Sequence, residues 1–501
     1  MTASLRSSQT ATTDPVQDHD PEAPEKAIGS PIESDISASE KSLSPWEITL
    51  EESEDPKNMA TWYKWVIVLI VSSGAMCVTS ASSMAAFVEA GIMEEFGISS
   101  TVAILPISLF LMGLGTGPLL VGPLSEVHGR NPVYLGSFAG FFIFSWPVAF
   151  APNAAVLIFF RFITGLCGAA FLSVAGGTVS DLFSPANLGS PMSVYSMAPF
   201  LGPVIGPLAA GFINQNLDWR WTFYVIIIWV FVVLVALLFV RETYVPVLER
   251  KKAVRLRKET GDERYYSLLE KENPSLLRLT IISCYRPFQV LLYDRMVLLL
   301  DIWTALTLGI LYLAFQAFPI IFGLHGFSEE FIGLSFLGIG VGMILASLSQ
   351  PYWNRLTLKE IQKHGSVRPE SRLIMGQVGG ILIPIGLFWI AFTTYRSVHW
   401  IVPIIGSIPF GMGICYTFTS VFTYLISAYR PIAASVLASN SFIRSCFACA
   451  FPLFTSAMYE TLGTVGATAL VAGLAAVFAP LPFIFYKIGP RLRAKSKFAA
   501  H

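Results

Sequence analysis

The chain is dominated by apolar runs that are long enough to cross the hydrocarbon core of a bilayer, which is about 30 Å thick. Twelve such runs occur, in two sets of six. The first set lies near residues 65–87, 102–121, 132–150, 154–174, 192–213 and 221–240, and the second near residues 296–318, 331–349, 373–392, 398–426, 432–458 and 465–486. Because a backbone in lipid must satisfy its own hydrogen bonds, runs of this length predict helices. The pattern predicts an all-α membrane protein with twelve transmembrane helices in two six-helix halves.

The amino-acid composition supports a membrane protein and gives no indication of nucleic-acid binding. Of the 501 residues, 54% are apolar and 13% are charged, whereas soluble proteins carry about 25% charged residues. The formal net charge is zero, so no excess of positive charge points to nucleic acid. The expected surroundings are a lipid bilayer.

Five segments follow from the positions of the runs. Residues 1–58 are rich in Ser, Thr, Pro, Asp and Glu and cannot bury enough apolar surface to fold, so a disordered tail is expected. Residues 59–240 and 296–487 are the two six-helix halves, residues 241–295 join them, and residues 488–501 form a second tail.

Basic residues lie at alternate ends of the predicted helices. The joining segment begins with the basic cluster Arg250-Lys251-Lys252, and further basic residues include Arg130 and Arg430. Because lysine and arginine are enriched in cytoplasmic loops, the joining segment and both termini are predicted to be cytoplasmic.

A short polar stretch at residues 122–133, which we call the hinge, separates the second run from the third. Its sequence is Gly-Pro-Leu-Ser-Glu-Val-His-Gly-Arg-Asn-Pro-Val. Glu126 and Arg130 are four residues apart, a spacing that suits a local ion pair. The same composition is typical of a solvated tight turn, and the spacing alone does not separate these two interpretations.

Two six-helix halves joined by a long segment are typical of a secondary transporter with its substrate site between the halves. A channel or a membrane enzyme could have the same helix count. His128, His325, His364 and His399 are scattered, and no cluster has catalytic or metal-binding spacing, so neither an enzyme nor a metal site is expected. The chain has no Gly-x-x-x-x-Gly-Lys-Ser/Thr phosphate loop, so a gradient should supply the energy, without a cofactor.

Several motifs resemble those of a known family. Besides the hinge, they are residues 218–224 (Asp-Trp-Arg-Trp-Thr-Phe-Tyr), 242–248 (Glu-Thr-Tyr-Val-Pro-Val-Leu), 369–373 (Pro-Glu-Ser-Arg-Leu) and 451–454 (Phe-Pro-Leu-Phe). Together they resemble the major facilitator superfamily, in the form of the fungal twelve-helix drug:H+ antiporters. The resemblance covers about residues 55–493 and implies the major facilitator fold.

In that family the acid and the base of the hinge form a cytoplasmic charge relay with an acid at the inner end of the fourth helix. The matching residues here are Glu126, Arg130 and Asp181. The resemblance implies a conformational role, in which this relay latches the outward-facing state.

Arg161 lies several residues inside an apolar run, where an unpaired charge is costly. It is therefore expected to face the protein interior and to be paired. It matches the helix-four arginine of the family, to which a part in proton coupling is ascribed. The alternative is an arginine near the interface that extends its side chain to the lipid headgroups.

The fifth run contains three prolines and three glycines within residues 197–211. Such a helix should be bent and tightly packed, which suits a gating element and equally suits any bent membrane helix. Gly202, Pro203, Gly206 and Pro207 resemble the helix-five antiporter signature of the family, with Pro207 in place of the usual second glycine. The resemblance implies export by proton antiport.

Few ionisable residues fall within the runs of the second half. Asp301 and Arg444 do, and Arg444 follows Asn440 by four residues. Residues 434–444 resemble the helix-eleven pattern of the family, and this resemblance makes Asn440 and Arg444 candidates for the cavity or the gate. Asp301 is either a proton site or a residue near the inner interface beside Arg295.

The aromatic residues Tyr312, Phe315 and Phe318 are candidates for the substrate cavity. Gln316 lies among them, where many members of the family have glutamate, and Ser427 stands where many have aspartate. Both replacements remove a carboxylate. A neutral or anionic substrate therefore fits better than a polycation.

The sequence thus predicts a monomeric secondary transporter that exports a drug, toxin or secondary metabolite by proton antiport. Its partners are the small-molecule substrate, protons and lipid, and it lies in the plasma membrane or, alternatively, the vacuolar membrane. Two other functions stay open. One is an exporter of organic acids or other metabolites that need not be coupled to protons, and the other is a membrane sensor on the same scaffold that transports nothing.

Overall fold

The computed structural model describes residues 46–184, 187–272, 276–364, 368–494 and 496. Residues Ile48–His501 form one compact unit. The predicted disorder of residues 1–45 lies outside the described residues.

Eleven helices are long and apolar enough to cross a membrane. The last, Ala433–Arg493, has 61 residues, which is about 90 Å at 1.5 Å per residue and about three times the hydrocarbon thickness. It is interrupted at Gly463, where φ is 69° and ψ is 171°, a conformation that favours glycine. This helix therefore crosses twice, and the described chain has the twelve membrane helices that the sequence predicted.

We label the membrane helices in chain order. In the first half they are α1 (Thr61–Met84), α2 (Ser100–His128), α3 (Arg130–Ala149), α4 (Ala154–Leu182), α5 (Gly189–Asn216) and α6 (Arg220–Leu238). In the second half they are α7 (Arg295–Gly323), α8 (Glu329–Leu356), α9 (Leu373–Thr393), α10 (Ile401–Ala428), α11 (residues 433–462) and α12 (residues 464–493).

Polar side chains fix where some of these helices begin. Oδ1 of Asp294 accepts hydrogen bonds from the backbone N–H groups of Met296 and Val297, at 3.0 and 3.3 Å, and so caps α7. Asn153 accepts from the N–H of Val156 at 3.0 Å and caps α4. Each side chain replaces a partner that the first turn of a helix lacks.

Glycine brings the helices of the first half close together. Gly165 of α4 lies against the backbone of Phe110 in α2, while Gly202 and Gly206 of α5 lie against α1. A Cβ atom at any of the three would overlap its neighbour. Small residues therefore set the helix spacing, as is common in membrane bundles.

Short helices lie between the membrane helices. Glu89–Phe96 joins α1 to α2, and Val245–Thr260, Leu268–Glu272 and Leu276–Tyr293 occupy the joining segment. Leu276–Tyr293 packs against both α2 and α11, so the joining segment contacts both halves.

Residues 48–58, which the composition placed in the disordered tail, make defined contacts. Lys252 Nζ donates to Glu54 at 2.6 Å, and the backbone N–H of Ile48 donates to the carbonyl of Tyr266 at 3.0 Å. The hydrogen bond from Lys252 holds the pKa of Glu54 below its usual value. Complementary charge on the joining segment thus orders a stretch that composition alone left without a partner.

The two halves meet at one side of the membrane. We call the side that carries the hinge the hinge side, and the opposite one the far side. At the far side, Gly211 of α5 and Gly333 of α8 face each other. The backbone N–H of Glu329 donates to Gln215 Oε1 at 3.1 Å, which adds a polar contact between the halves.

Toward the hinge side the halves diverge. Gly115 and Gly122 are seven residues apart and therefore lie on the same face of α2, about 10.5 Å apart along the axis. Gly115 lies against Ser445 of α11, whereas no atom of the described residues lies within 4 Å of a Cβ built on Gly122. The structure is closed at the far side and open toward the hinge side.

Candidate functional site

The hinge is shorter than the sequence suggested. α2 continues to His128 and α3 begins at Arg130, so Gly129 alone separates them. Gly129 has φ 100°, and a Cβ atom there would overlap the carboxylate of Glu242, so this position requires glycine. Glu126 and Arg130 therefore lie on different helices, and Arg130 acts on the Glu126 carboxylate electrostatically from beyond 4 Å. Glu126 is exposed and forms no salt bridge with Arg130 in the described structure.

Arg130 instead contacts α4 and the end of α2. Its Nε donates to Asp181 at 3.2 Å and its Nη1 donates to Ser125 at 2.9 Å. Its guanidinium also lies 4.4 Å from the ring centroid of Tyr244. Of the three predicted relay residues, the structure brings Arg130 and Asp181 into contact and leaves Glu126 outside it.

Glu242 is part of this cluster, and sequence reasoning gave it no role. Its carboxylate accepts from the backbone N–H groups of Arg130 at 2.9 Å and Asn131 at 3.2 Å. An acid at this point satisfies free N–H groups and the partial positive charge of the α3 N-terminus. The only sequence signal was its place in the motif at residues 242–248, because it caps a helix that begins 112 residues earlier.

The contact between Arg130 and Asp181 lies wholly within the first half. It forms while the halves are closed at the far side and open toward the hinge side. With the hinge side cytoplasmic, as the sequence predicts, this arrangement faces inward. On that predicted orientation, the contact between Arg130 and Asp181 is present in an inward-facing arrangement, and the role that the resemblance assigns to the relay stays a prediction.

Arg161 is 2% exposed and lies inside the first half. Its Nε donates to the carbonyl of Pro106 at 3.2 Å and its Nη2 to the carbonyl of Ala81 at 3.0 Å. Its guanidinium lies 4.3 Å from the ring centroid of Phe110. Arg161 faces the interior and is partnered, as expected, and the arginine at the headgroups is the wrong alternative. Its partners are carbonyls and a ring, with no salt bridge within 4 Å in the described part of the chain.

Asp301 is fully buried between α7 and α11. Its Oδ1 accepts from Asn440 Nδ2 and its Oδ2 from Ser439 Oγ, both at 2.9 Å. Asn440 also donates to Thr304 at 2.7 Å. Asp301 follows Arg295, the first residue of α7, by six residues, so both roles expected for it, a proton site and a residue near the inner interface, stay open.

Arg444 lies one turn beyond Asn440 on α11 and points toward α10. Its guanidinium lies 5.4 Å from the ring centroid of Phe418 and 5.2 Å from that of Phe422. Its Nε is buried and has no hydrogen-bond acceptor among the described residues. Asp301 is close enough to interact with it electrostatically.

Tyr312 links these groups across the two halves. Its hydroxyl lies 2.7 Å from that of Ser82 in α1, and both Arg161 and Arg444 interact with it electrostatically. We call Arg161, Tyr312, Asp301, Asn440 and Arg444 the interior polar network.

The aromatic candidates lie at the far-side junction of the halves. Phe315 and Phe318 pack on Phe336 of α8, with ring centroids 5.4 and 4.6 Å apart, and Phe87 packs on the same ring from the end of α1. In this arrangement these rings form a contact between helices. Ser427, the other position of interest, donates to a carbonyl within its own helix.

Gln316 donates a hydrogen bond to the carboxylate of Glu89, which follows α1 in the chain. Burial raises the pKa of Glu89 to about 8, against the effect of the hydrogen bond from Gln316. An acid that the sequence lacks at position 316 is thus supplied from the other half. Sequence analysis missed Glu89 because it lies just outside the first apolar run.

The α5 residues singled out as a gate contact both halves. Gly202 and Gly206 pack against α1, and Ser80 Oγ donates to the carbonyl of Gly202 at 3.1 Å. The carbonyl of Pro207 lies against Gly333 of α8. Pro203 lies in the same helix, which runs through its three prolines from residue 189 to residue 216. Within the described ranges, no three His, Cys, Asp or Glu side chains converge to hold a metal.

Comparison with known proteins identifies this architecture. The profile of the Major Facilitator Superfamily matches residues 70–452. The chain belongs to the major facilitator superfamily. This transporter is 46% identical to the efflux pump atB of Aspergillus terreus, over 90% of its own length and 88% of that protein. It is 40% identical to the probable drug/proton antiporter YHK8 of Saccharomyces cerevisiae, over 90% of each chain.

Solved structures share the fold at low identity. The xylose transporter XylE from E. coli, in a partially occluded inward open conformation, matches with a TM-score of 0.60 and 16% identity over 85% of this chain and 98% of that one. A peptide transporter POT in complex with alafosfalin matches with a TM-score of 0.63 and 15% identity, over 90% of this chain and 100% of that one. The resemblance to fungal drug:H+ antiporters is confirmed, and the chain is a multi-pass membrane transporter, not an enzyme.

Proposed function

We propose that this transporter exports a small organic molecule, such as a drug, a toxin or a secondary metabolite, in exchange for protons. The names of its relatives, an efflux pump and a probable drug/proton antiporter, support export. The proton gradient supplies the energy, without a cofactor. The transporter acts as a monomer in the plasma membrane, with both termini in the cytoplasm; the vacuolar membrane is the alternative location.

Alternating access requires two arrangements of the halves around one internal site. The junction of Gly211 with Gly333, together with the open space at Gly122, supports one of them, closed at the far side. With the hinge side cytoplasmic, this arrangement takes substrate from the cytoplasm. The hinge cluster of Arg130 and Asp181 holds α3 to α4, so the first half moves as one body.

The observation that carries proton coupling is the environment of Asp301. Its carboxylate is buried, and its hydrogen bonds come from neutral groups of α11, namely Ser439 and Asn440. Because Asp301 lies on α7 and its two donors lie on α11, a movement of one helix against the other changes these hydrogen bonds and so changes the affinity of Asp301 for a proton. A group whose proton affinity differs between two arrangements couples protons to the change.

Flux in reconstituted vesicles tests this function. We expect an imposed pH gradient to drive movement of at least one of three probes: the cation rhodamine 6G, neutral chloramphenicol and the anion 2-naphthoate. Asp301→Asn should abolish the dependence on the gradient and keep downhill exchange. Glu259→Gln, at an exposed acid of the joining segment, is the control and should behave as wild type. Failure of every probe to move in any gradient would contradict transport and support the sensor.

Arg444 favours a second candidate, an organic-acid exporter that need not exchange protons. An anion at Arg444 and a proton on Asp301 would favour each other, because protonation removes the negative charge that competes for the guanidinium. Exchange requires the opposite, that substrate and proton displace each other. Efflux of 2-naphthoate that carries protons in the same direction would select this candidate over antiport.

A further inference from the structure

We infer that Arg444 binds the charged group of the exported molecule, and that the site takes an organic monoanion with an aromatic or apolar body. The inference rests on the second candidate above, export that need not exchange protons, and names the class of its substrate. Four features of the structure support it: charge balance, a free donor, an aromatic wall and depth in the membrane.

The first feature is the charge of the interior polar network. Arg161 and Arg444 stay protonated in proteins, and both interact with Tyr312. Asp301 is the one carboxylate among the five network residues, and Ser439 and Asn440 already occupy its oxygens. The network therefore has an excess of positive charge, which acts strongly where water is scarce. An anion compensates this excess and a cation does not.

The second feature is the difference between the two arginines. Arg161 has its donors directed at the carbonyls of Pro106 and Ala81. Arg444 has a buried Nε without an acceptor and forms no salt bridge within 4 Å in the described part of the chain. A buried donor without an acceptor is costly. A carboxylate fits it, because the planar guanidinium offers parallel N–H groups that match the two oxygens.

The third feature is the aromatic wall beside the guanidinium. Phe418 and Phe422 of α10 lie next to Arg444, and Phe200 of α5 packs on Phe418 with 5.6 Å between ring centroids. These rings give a bound molecule an apolar surface next to the charge. Because α5 belongs to the first half and α10 to the second, a molecule held here contacts both halves.

The fourth feature is depth. Arg444 follows Ala433, the first residue of α11, by eleven residues, about 16.5 Å along the axis and close to the middle of a bilayer. Its side chain is half-buried, and the halves diverge toward the hinge side. The site is thus central and open to one side, as alternating access requires.

Equilibrium binding to the full chain in nanodiscs tests the inference. The probes are tritiated 2-naphthoate and tritiated 2-naphthamide, a neutral molecule of nearly the same shape. We expect wild type to bind the acid at least tenfold more tightly than the amide. Arg444→Gln should weaken binding of the acid by about tenfold to a hundredfold, the range for a charge-assisted hydrogen bond, and leave binding of the amide unchanged. Arg444→Lys should keep part of the preference for the acid, since lysine retains the positive charge but lacks the paired N–H donors of the guanidinium.

Two controls separate charge recognition from other effects. Arg396→Gln, at an exposed arginine of the far side, should leave both affinities unchanged. Phe422→Leu should weaken the binding of the acid and of the amide by the same factor. A wild type that does not prefer the acid, or an Arg444→Gln variant that keeps the preference, overturns the inference. The proposed export survives that result if rhodamine 6G or chloramphenicol still moves in vesicles, and fails only if no probe moves.

Discussion

Glu89 and Gln316 are joined by a hydrogen bond that crosses from the first half of the transporter to the second at the far side. The two residues are far apart in the chain and meet only when the far side is closed. Closure buries the carboxylate and raises its pKa to about 8. Other charged residues at the far side include Glu94, Glu95, Asp218, Arg220, Glu329 and Glu330, of which Glu95 and Arg220 pair with each other.

The far side should therefore close more readily at low pH. With the far side open, Glu89 is exposed and titrates near its usual value, about 4.3, so between this value and about 8 the closed arrangement binds more protons. Distances between spin labels at Leu217 and Leu324, in a background without native cysteines, should lengthen as the pH rises from about 4.3 to about 8 and change no further above it. Glu89→Gln should remove this dependence and Glu94→Gln should keep it. An unchanged pH dependence in Glu89→Gln would show that another group is responsible.

Loss of the guanidinium at Arg130 should abolish transport without loss of surface expression. Arg130→Gln removes the hydrogen bonds to Asp181 and Ser125, and Arg130→Lys cannot make both, because an ammonium lacks the fork of donors. Substrate flux and surface biotinylation measure the two effects. Arg241→Gln, at an exposed arginine of the same side, is the control. Full transport by Arg130→Gln would exclude the conformational role.

A large side chain at Gly122 should trap the arrangement seen here. The space beside Gly122 is open in this structure, so Gly122→Leu fits it but blocks the approach of α11 that closes the hinge side. Binding of substrate from the hinge side should persist while turnover falls at least tenfold. Gly136→Leu, at another glycine with open space beside it, should transport normally. Equal flux in the two variants would mean that α11 does not close on Gly122.

Gly129→Ala should destabilise the protein. The backbone has φ 100°, and the added methyl group would displace the carboxylate of Glu242 from the N-terminus of α3. Strain of this kind costs about 1–3 kcal/mol, to which the lost cap adds about 1 kcal/mol. Thermal unfolding in detergent should show a lower Tm. Gly97→Ala is the matched control, because Gly97 also has positive φ but no atom of the described residues within 4 Å of an added Cβ, so its Tm should fall less.

The sequence predicted the helices and the hinge because their signals are local. Runs of apolar residues and a Gly-rich stretch reflect structure within a few turns. The gap between the predicted runs at residues 432–458 and 465–486 coincides with the break at Gly463. The inner position of Arg161 followed from the cost of a charge in lipid. These are arguments about single segments.

The contacts that complete the site were not predictable in the same way. Glu242 reaches the start of α3 and Glu89 reaches Gln316 only through the packing of whole helices. Nor does spacing show that Gly129 breaks the helical register between Glu126 and Arg130. The carboxylate that the sequence lacks at Gln316 is supplied by Glu89 of the first half. A motif in a single sequence does not reveal such a contact.

The joining segment is anchored at two places. Its helix Val245–Thr260 is held by Lys252 to Glu54, ahead of α1, while Leu276–Tyr293 rests on α2 and α11 together, with Phe288 against Phe442 at 5.1 Å between ring centroids. A long linker often leaves two domains free to move independently. Here these contacts fix the joining segment to both halves, so the segment itself limits how far one half can rotate against the other.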